Sequence, residues 1–169
     1  RGVELAFKMA GLLIDYRGIE AARPVFEEVR AYDNHSPETV ERIADILFER
    51  GYRDEACPIY KEVLEMEPDR AQSLSRVSII YALDGKLEEA AGLARQIFAK
   101  GLVGQITEEY GKALDCQPND AAYHIKMGEF FRQLGFLEEA IDEFHKAITD
   151  PAKVLIAVNS LAMAFQDKG

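Results

Sequence analysis

The chain has 169 residues, 48% of them hydrophobic and 30% charged, which supplies a packed core and argues against a disordered polymer. Its formal net charge of −10 repels phosphate backbones and anionic membrane surfaces, which makes nucleic acid a poor partner. The longest apolar runs, such as Val154-Leu155-Ile156-Ala157-Val158, are too short to cross a bilayer, so no membrane insertion is expected.

Cys57 and Cys116 lack CxxC spacing and are too few for a disulfide framework. They read as reduced packing residues, which points to a cytoplasmic chain. No signal peptide is visible. With Arg1-Gly2 at the start and no methionine, the native N-terminus is expected to lie upstream.

Along the chain a period emerges. The segment Ala22-Arg23-Pro24-Val25-Phe26-Glu27-Glu28-Val29 returns 34 residues later as Ala56-Cys57-Pro58-Ile59-Tyr60-Lys61-Glu62-Val63, with four of eight positions identical. The next step of 34 reaches Ala90 within Gly85-x-Leu87-Glu88-Glu89-Ala90, and Ala113 is echoed at Ala147. A period of this length marks a repeat protein built from helix pairs.

Numbering positions within a 34-residue repeat gives a consistent pattern. Position 8 carries Ala10, Ala44, Ser78, Gly128 and Ala162, and position 20 carries Ala22, Ala56, Ala90 and Ala140. Position 11 holds Leu13, Leu47, Tyr81, Phe131 and Phe165. Position 15 holds Gly51, Gly85, Gly101, Gly135 and Gly169, while Arg17 stands there in the first repeat. Residues at 4, 7, 8 and 11 form one stripe of a first helix, helix A, and residues at 17, 20, 24 and 27 form one of a second, helix B. Small side chains at 8 and 20 let the two axes approach closely, and glycine at 15 ends helix A.

On these residues the chain resembles the tetratricopeptide repeat family, in stretches such as Gly135-Phe136-Leu137-Glu138-Glu139-Ala140 one of bacterial origin. The resemblance implies an all-α, right-handed solenoid of stacked antiparallel helix pairs. Residues 1–104 hold repeats over 3–36, 37–70 and 71–104. Residues 105–169 hold helix B of a fourth repeat (105–120), a full repeat (121–154) and helix A of a sixth (155–169). The fourth repeat thus lacks its helix A. That parity conflict predicts residues absent from the sequence near 101–105.

No chemistry announces itself. The histidines are scattered without ligand spacing, and HExxH, GxSxG and phosphate-loop motifs are missing, so neither a catalytic site, a metal nor a cofactor is expected. Glu88-Glu89 and Glu138-Glu139 read as acids at the start of helix B, His124 as a packed core residue, and Met66, Met127 and Met163 as core or groove filler. Pro24 and Pro58 read as marking where helix B begins, within the stretch whose amides lack acceptors.

The resemblance implies that helix A lines a concave groove through positions 2, 5, 6, 9, 12 and 13. Position 6 reads Lys8, Arg42, Arg76 and Lys126, a row of bases suited to an acidic peptide segment; position 9 supplies Asp45, Ile79 and Glu129. The carboxylate clamp of chaperone-binding repeats is not reproduced, since only Arg76 of Phe7, Gly11, Arg42, Gln72 and Arg76 fits it. The expectation is a non-catalytic scaffold or adaptor that binds a protein or peptide in the groove. The rivals are a recruiting domain of a larger enzyme and a self-assembling repeat, since Leu161 and Phe165 have no helix B to cover them.

Overall fold

The computed structural model describes residues 2–99, 101, 109 and 120–169. Nine α-helices and no strands occur among the described residues. They are α1 (Gly2–Arg17), α2 (Ile19–Tyr32), α3 (Pro37–Glu49), α4 (Arg53–Met66), α5 (Ala71–Leu83), α6 (Leu87–Ala99), α7 (Ala121–Leu134), α8 (Leu137–Ala147) and α9 (Val154–Lys168). The chain divides into two compact units, Arg1–Ser73 and Leu74–Gly169. Most of repeat 4, and with it the junction near 101–105, lies outside the described residues.

In the first unit α1 packs on α2 and α3 on α4, and α3 also touches α1 and α2. In the second, α7 packs on α8, α9 on both, and α6 on α7. The pairs fall where the 34-residue pattern sets helices A and B. Their seams hold the small residues: Ala10, Ala22, Ala44, Ala56, Ala90 and Ala140 have no exposed surface. The Ser78 hydroxyl even donates to the Ala90 carbonyl at 2.9 Å, so positions 8 and 20 meet directly. Gly128 serves the same end with the Phe144 ring, whose nearest carbon would stand 2.5 Å from a Cβ added to the glycine.

The turns follow from local chemistry. Gly51, Gly85 and Gly135 sit at φ of 83°, 80° and 83°, a region that residues with a Cβ avoid. After each glycine the next amide reaches back to helix A, from Tyr52 to Leu47, Lys86 to Tyr81 and Phe136 to Phe131. This closing bond satisfies carbonyls that the helix end leaves open. In the first repeat the task moves one residue on: Gly18, at φ 82°, makes the turn, so Arg17 can remain helical. At the other end, Ser36 caps α3 through the Thr39 amide at 3.2 Å, and Asp120 caps α7 through the Ala122 amide at 2.9 Å. Glu88, Glu89, Glu138 and Glu139 occupy the first turns of α6 and α8, where negative charge complements the helix dipole.

One expectation fails. Pro24 and Pro58 are each the sixth residue of their helix, deeper than the stretch of free amides. Each therefore removes one internal helix bond, leaving the Glu20 and Asp54 carbonyls without the amide that would ordinarily reach them. Of the methionines read as core or groove filler, Met127 is core, while Met66 and Met163 are 40% and 48% exposed. Long unbranched side chains tolerate both settings, so their identity does not fix burial. On α9 the buried face is Ala157, Ser160 and Ala164, while Ala162 and Phe165 are exposed and Leu161 is half-buried. No helix among the described residues is long and apolar enough to cross a membrane.

Candidate functional site

Helices α1 and α3 are successive A helices in the first unit, and a cavity of about 650 Å³ lies along them. It gathers Glu4, Phe7, Lys8 and Leu12 from α1 with Arg42, Asp45 and Ile46 from α3. Three sequence-predicted residues, Lys8, Arg42 and Asp45, thus share one surface. Phe7 is buried while Leu12 is 57% exposed, so the wall passes from core to open apolar surface.

The groove carries Lys8, Arg42 and Arg50 beside Glu4, Asp45 and Glu49, and they are held in different ways. Arg42 Nη2 donates to Glu4 Oε1 at 2.9 Å, with both side chains about half exposed. The same guanidinium stands 5.6 Å above the Phe7 ring, a cation–π contact. Asp45 is held from behind: Oδ1 accepts from the Tyr60 hydroxyl at 2.6 Å and Oδ2 from Gln72 Nε2 at 2.7 Å. Lys8 is exposed and forms no ion pair with a described residue.

Arg50 and Asp15, which sequence reasoning missed, complete one end. Arg50 donates from Nε to Asp15 Oδ1 at 2.8 Å and from Nη1 to the Ile46 carbonyl at 3.2 Å. A Cβ added to Gly11 would stand 2.6 Å from Arg50 Nη2, so the glycine makes room for the guanidinium against α1. A glycine inside an otherwise good helix was the available signal, because such positions often mark a close approach.

A second network joins α3, the end of α4 and the start of α5. Arg70 donates to Glu41 at 2.8 Å, Glu38 at 3.0 Å and Glu67 at 2.7 Å, and Glu41 also accepts from the Ser73 hydroxyl at 2.6 Å. Burial disfavours the Arg70 cation, but its hydrogen bonds to Glu67, Glu38 and Glu41 outweigh it and hold its pKa above the ordinary value. Glu41 is therefore taken by Arg70 and does not neutralise Arg42.

The remaining predicted residues belong to the second unit, and their surroundings differ. Arg76 is 4% exposed and pairs with the equally hidden Glu109 at 2.7 Å. Ile79 is fully buried. Neither presents a side chain to a partner, which corrects the expectation for both: on α5 the face bearing positions 6 and 9 is core. Lys126 is exposed, but its ammonium donates to the Leu83 carbonyl, and Glu129 is half-buried. His124 is core, as expected, and has a function there: its Nδ1 meets Glu143 Oε2 at 2.7 Å, while Lys146 holds the other carboxylate oxygen at 2.6 Å.

Paired helices at a 34-residue spacing, small residues at the seams and a glycine turn after helix A define a helical repeat fold of the tetratricopeptide type. Three solved structures are distantly similar. A mutant of MamA is 16% identical, with the match covering 99% of this chain and 88% of that one at a TM-score of 0.48. A MamA fragment from Desulfovibrio magneticus RS-1 is 14% identical over 98% of this chain and 94% of its own, with a TM-score of 0.49. The P58(IPK) tetratricopeptide domain is 16% identical over 98% of this chain and 55% of its own, with a TM-score of 0.46. Such low values add nothing to what the helix pairs already show. No family model matches the chain, and no curated protein matches it.

Proposed function

We propose that the chain is a non-catalytic binding module, and that the α1/α3 groove takes an extended acidic segment of another protein. The observation that carries this is the pairing of an apolar wall with cations whose charges are accessible. Lys8 has no acidic partner among the described residues, and the Arg42–Glu4 pair is exposed. Exposed ion pairs contribute only about 0–1 kcal/mol, so an incoming carboxylate can displace Glu4 at little cost. Phe7, Leu12 and Ile46 offer apolar contact to a neighbouring side chain of the same segment.

A labelled peptide with leucine among aspartates tests the reading by fluorescence anisotropy, against a counterpart with lysines for aspartates. Lys8→Glu and Arg42→Glu should each weaken the acidic peptide's binding about tenfold, mainly through the association rate. Equal binding of both peptides, or indifference to both substitutions, removes the groove from the function.

A further inference from the structure

The first unit carries a second groove, on its B-helix side, that the reading above leaves unused. It is a cavity of about 430 Å³ between α2 and α4. Its apolar wall is formed by Phe26, Ile43, Leu47 and Ile59. The strongest internal repeat of the sequence, Ala22–Val29 against Ala56–Val63, supplies much of its lining.

The charge around this groove is one-sided. Two arginines border it, and each already has an acid. Arg30 donates two bonds from Nη1 to the carboxylate of Glu62, both at 3.0 Å, and Arg23 donates to Glu20 at 2.9 Å. The acids at the groove itself, Glu27, Asp54 and Glu55, form no ion pair with a described residue. Two cations balanced by two outside acids leave three carboxylates around one apolar cleft with no ion pair to a described residue, two of them, Asp54 and Glu55, in the first turn of α4. The rim therefore carries more acidic than basic side chains, next to an apolar wall.

We propose that the α2/α4 groove is a second docking site, for a basic segment with an apolar anchor flanked by lysine or arginine. The anchor enters the cleft between Phe26 and Ile59, and the flanking cations meet Glu27, Asp54 and Glu55. This is the opposite charge preference to that of the α1/α3 groove. One chain can then hold two unlike segments on the A and B faces of the same unit.

The probe is a labelled amphipathic peptide of leucines and lysines, with a glutamate-for-lysine counterpart, titrated against the whole chain and monitored by anisotropy. The lysine peptide should bind, and added salt should weaken it, as for contacts between exposed charges. The double variant Asp54→Lys, Glu55→Lys should weaken it at least tenfold, and Arg23→Glu should tighten it. Because the net charge of −10 attracts any cationic peptide, Glu88→Lys with Glu89→Lys on α6 serves as control and should leave binding within twofold. Lys8→Glu should not weaken it, which separates this groove from the first. A loss shared equally with the α6 control would show diffuse attraction and overturn the proposal. So would full binding by the Asp54, Glu55 double variant with its circular dichroism intact, or equal binding of the glutamate peptide.

Discussion

Arg42 and Arg76 stand 34 residues apart at the same repeat position, yet they live in different media. In the first unit Arg42 is a half-exposed group whose partner, Glu4, is equally wet. In the second, Arg76 and Glu109 are withdrawn from solvent together. The first joins its helices by ion pairs near the surface, through Arg42, Arg50 and Arg70. The second also joins helices by ion pairs, Arg132 to Asp167 and Lys168 to Glu138, and adds an edge-to-face contact of the Phe98 and Phe136 rings at 5.2 Å. A repeat position thus prescribes a direction from the helix axis, and the neighbouring chain decides whether that direction meets water.

The sharpest break of this comparison is to delete both arginines in turn. Arg76→Ala leaves a buried carboxylate at Glu109 and should cost about 3–5 kcal/mol, whereas Arg42→Ala removes only an exposed pair and should cost about 1 kcal/mol or less. Urea denaturation of each variant measures both. Similar losses would mean that Arg76 is as well hydrated as Arg42.

The two helical glycines at close contacts give a smaller contrast. A methyl group at Gly128 meets an aromatic ring packed in the core, so Gly128→Ala should destabilise by about 1–3 kcal/mol. At Gly11 the obstacle is the far end of Arg50, which can swing away. Gly11→Ala should therefore cost less than about 1 kcal/mol, since the helix gains from alanine what the displaced bonds lose. Thermal melts of the two variants test the order, and a costlier Gly11→Ala would show that Arg50 is locked rather than laid down.

Acid should weaken the first unit through two caps and bridges at the exposed surface. Hydrogen bonds from Ser36 and then Thr39 hold Asp33 below its ordinary value of 3.8. The Glu38 amide, followed by Arg70, holds Glu38 below 4.5. Both carboxyls are depressed in the folded state, so their contribution is present above the ordinary values and disappears as pH falls through the lower folded ones. The expected result is a small decline in melting temperature below about pH 4, reduced in Asp33→Asn with Glu38→Gln. An unchanged acid limb in that double variant would remove these two groups from the acid response.

The period, the helix pairing and the small seams were legible in the chain itself. They depend on side-chain size at fixed helical spacing, and an alanine at positions 8 or 20 has the same consequence in every repeat whose helix A and helix B pack together. Ala10, Ala22, Ala44, Ala56, Ala90 and Ala140 are all fully buried for that reason. The glycine turns were legible too, because a positive φ admits few other residues, and only the one-residue shift from Arg17 to Gly18 was not.

What the sequence could not settle was the fate of each polar group. Nothing local to Arg76 distinguishes it from Arg42; the difference is Glu109, distant in the chain and brought close by folding. Nothing local to Asp45 announces that Tyr60 and Gln72 will occupy both its oxygens. Nor does the motif around Pro24 and Pro58 reveal that its acids border an apolar cleft whose cations are taken elsewhere. Helical period is a property of successive residues, and the order of residues alone carries it. The free energy of a charge depends on solvent and partners in three dimensions, so only the tertiary structure decided which charges remain available to bind.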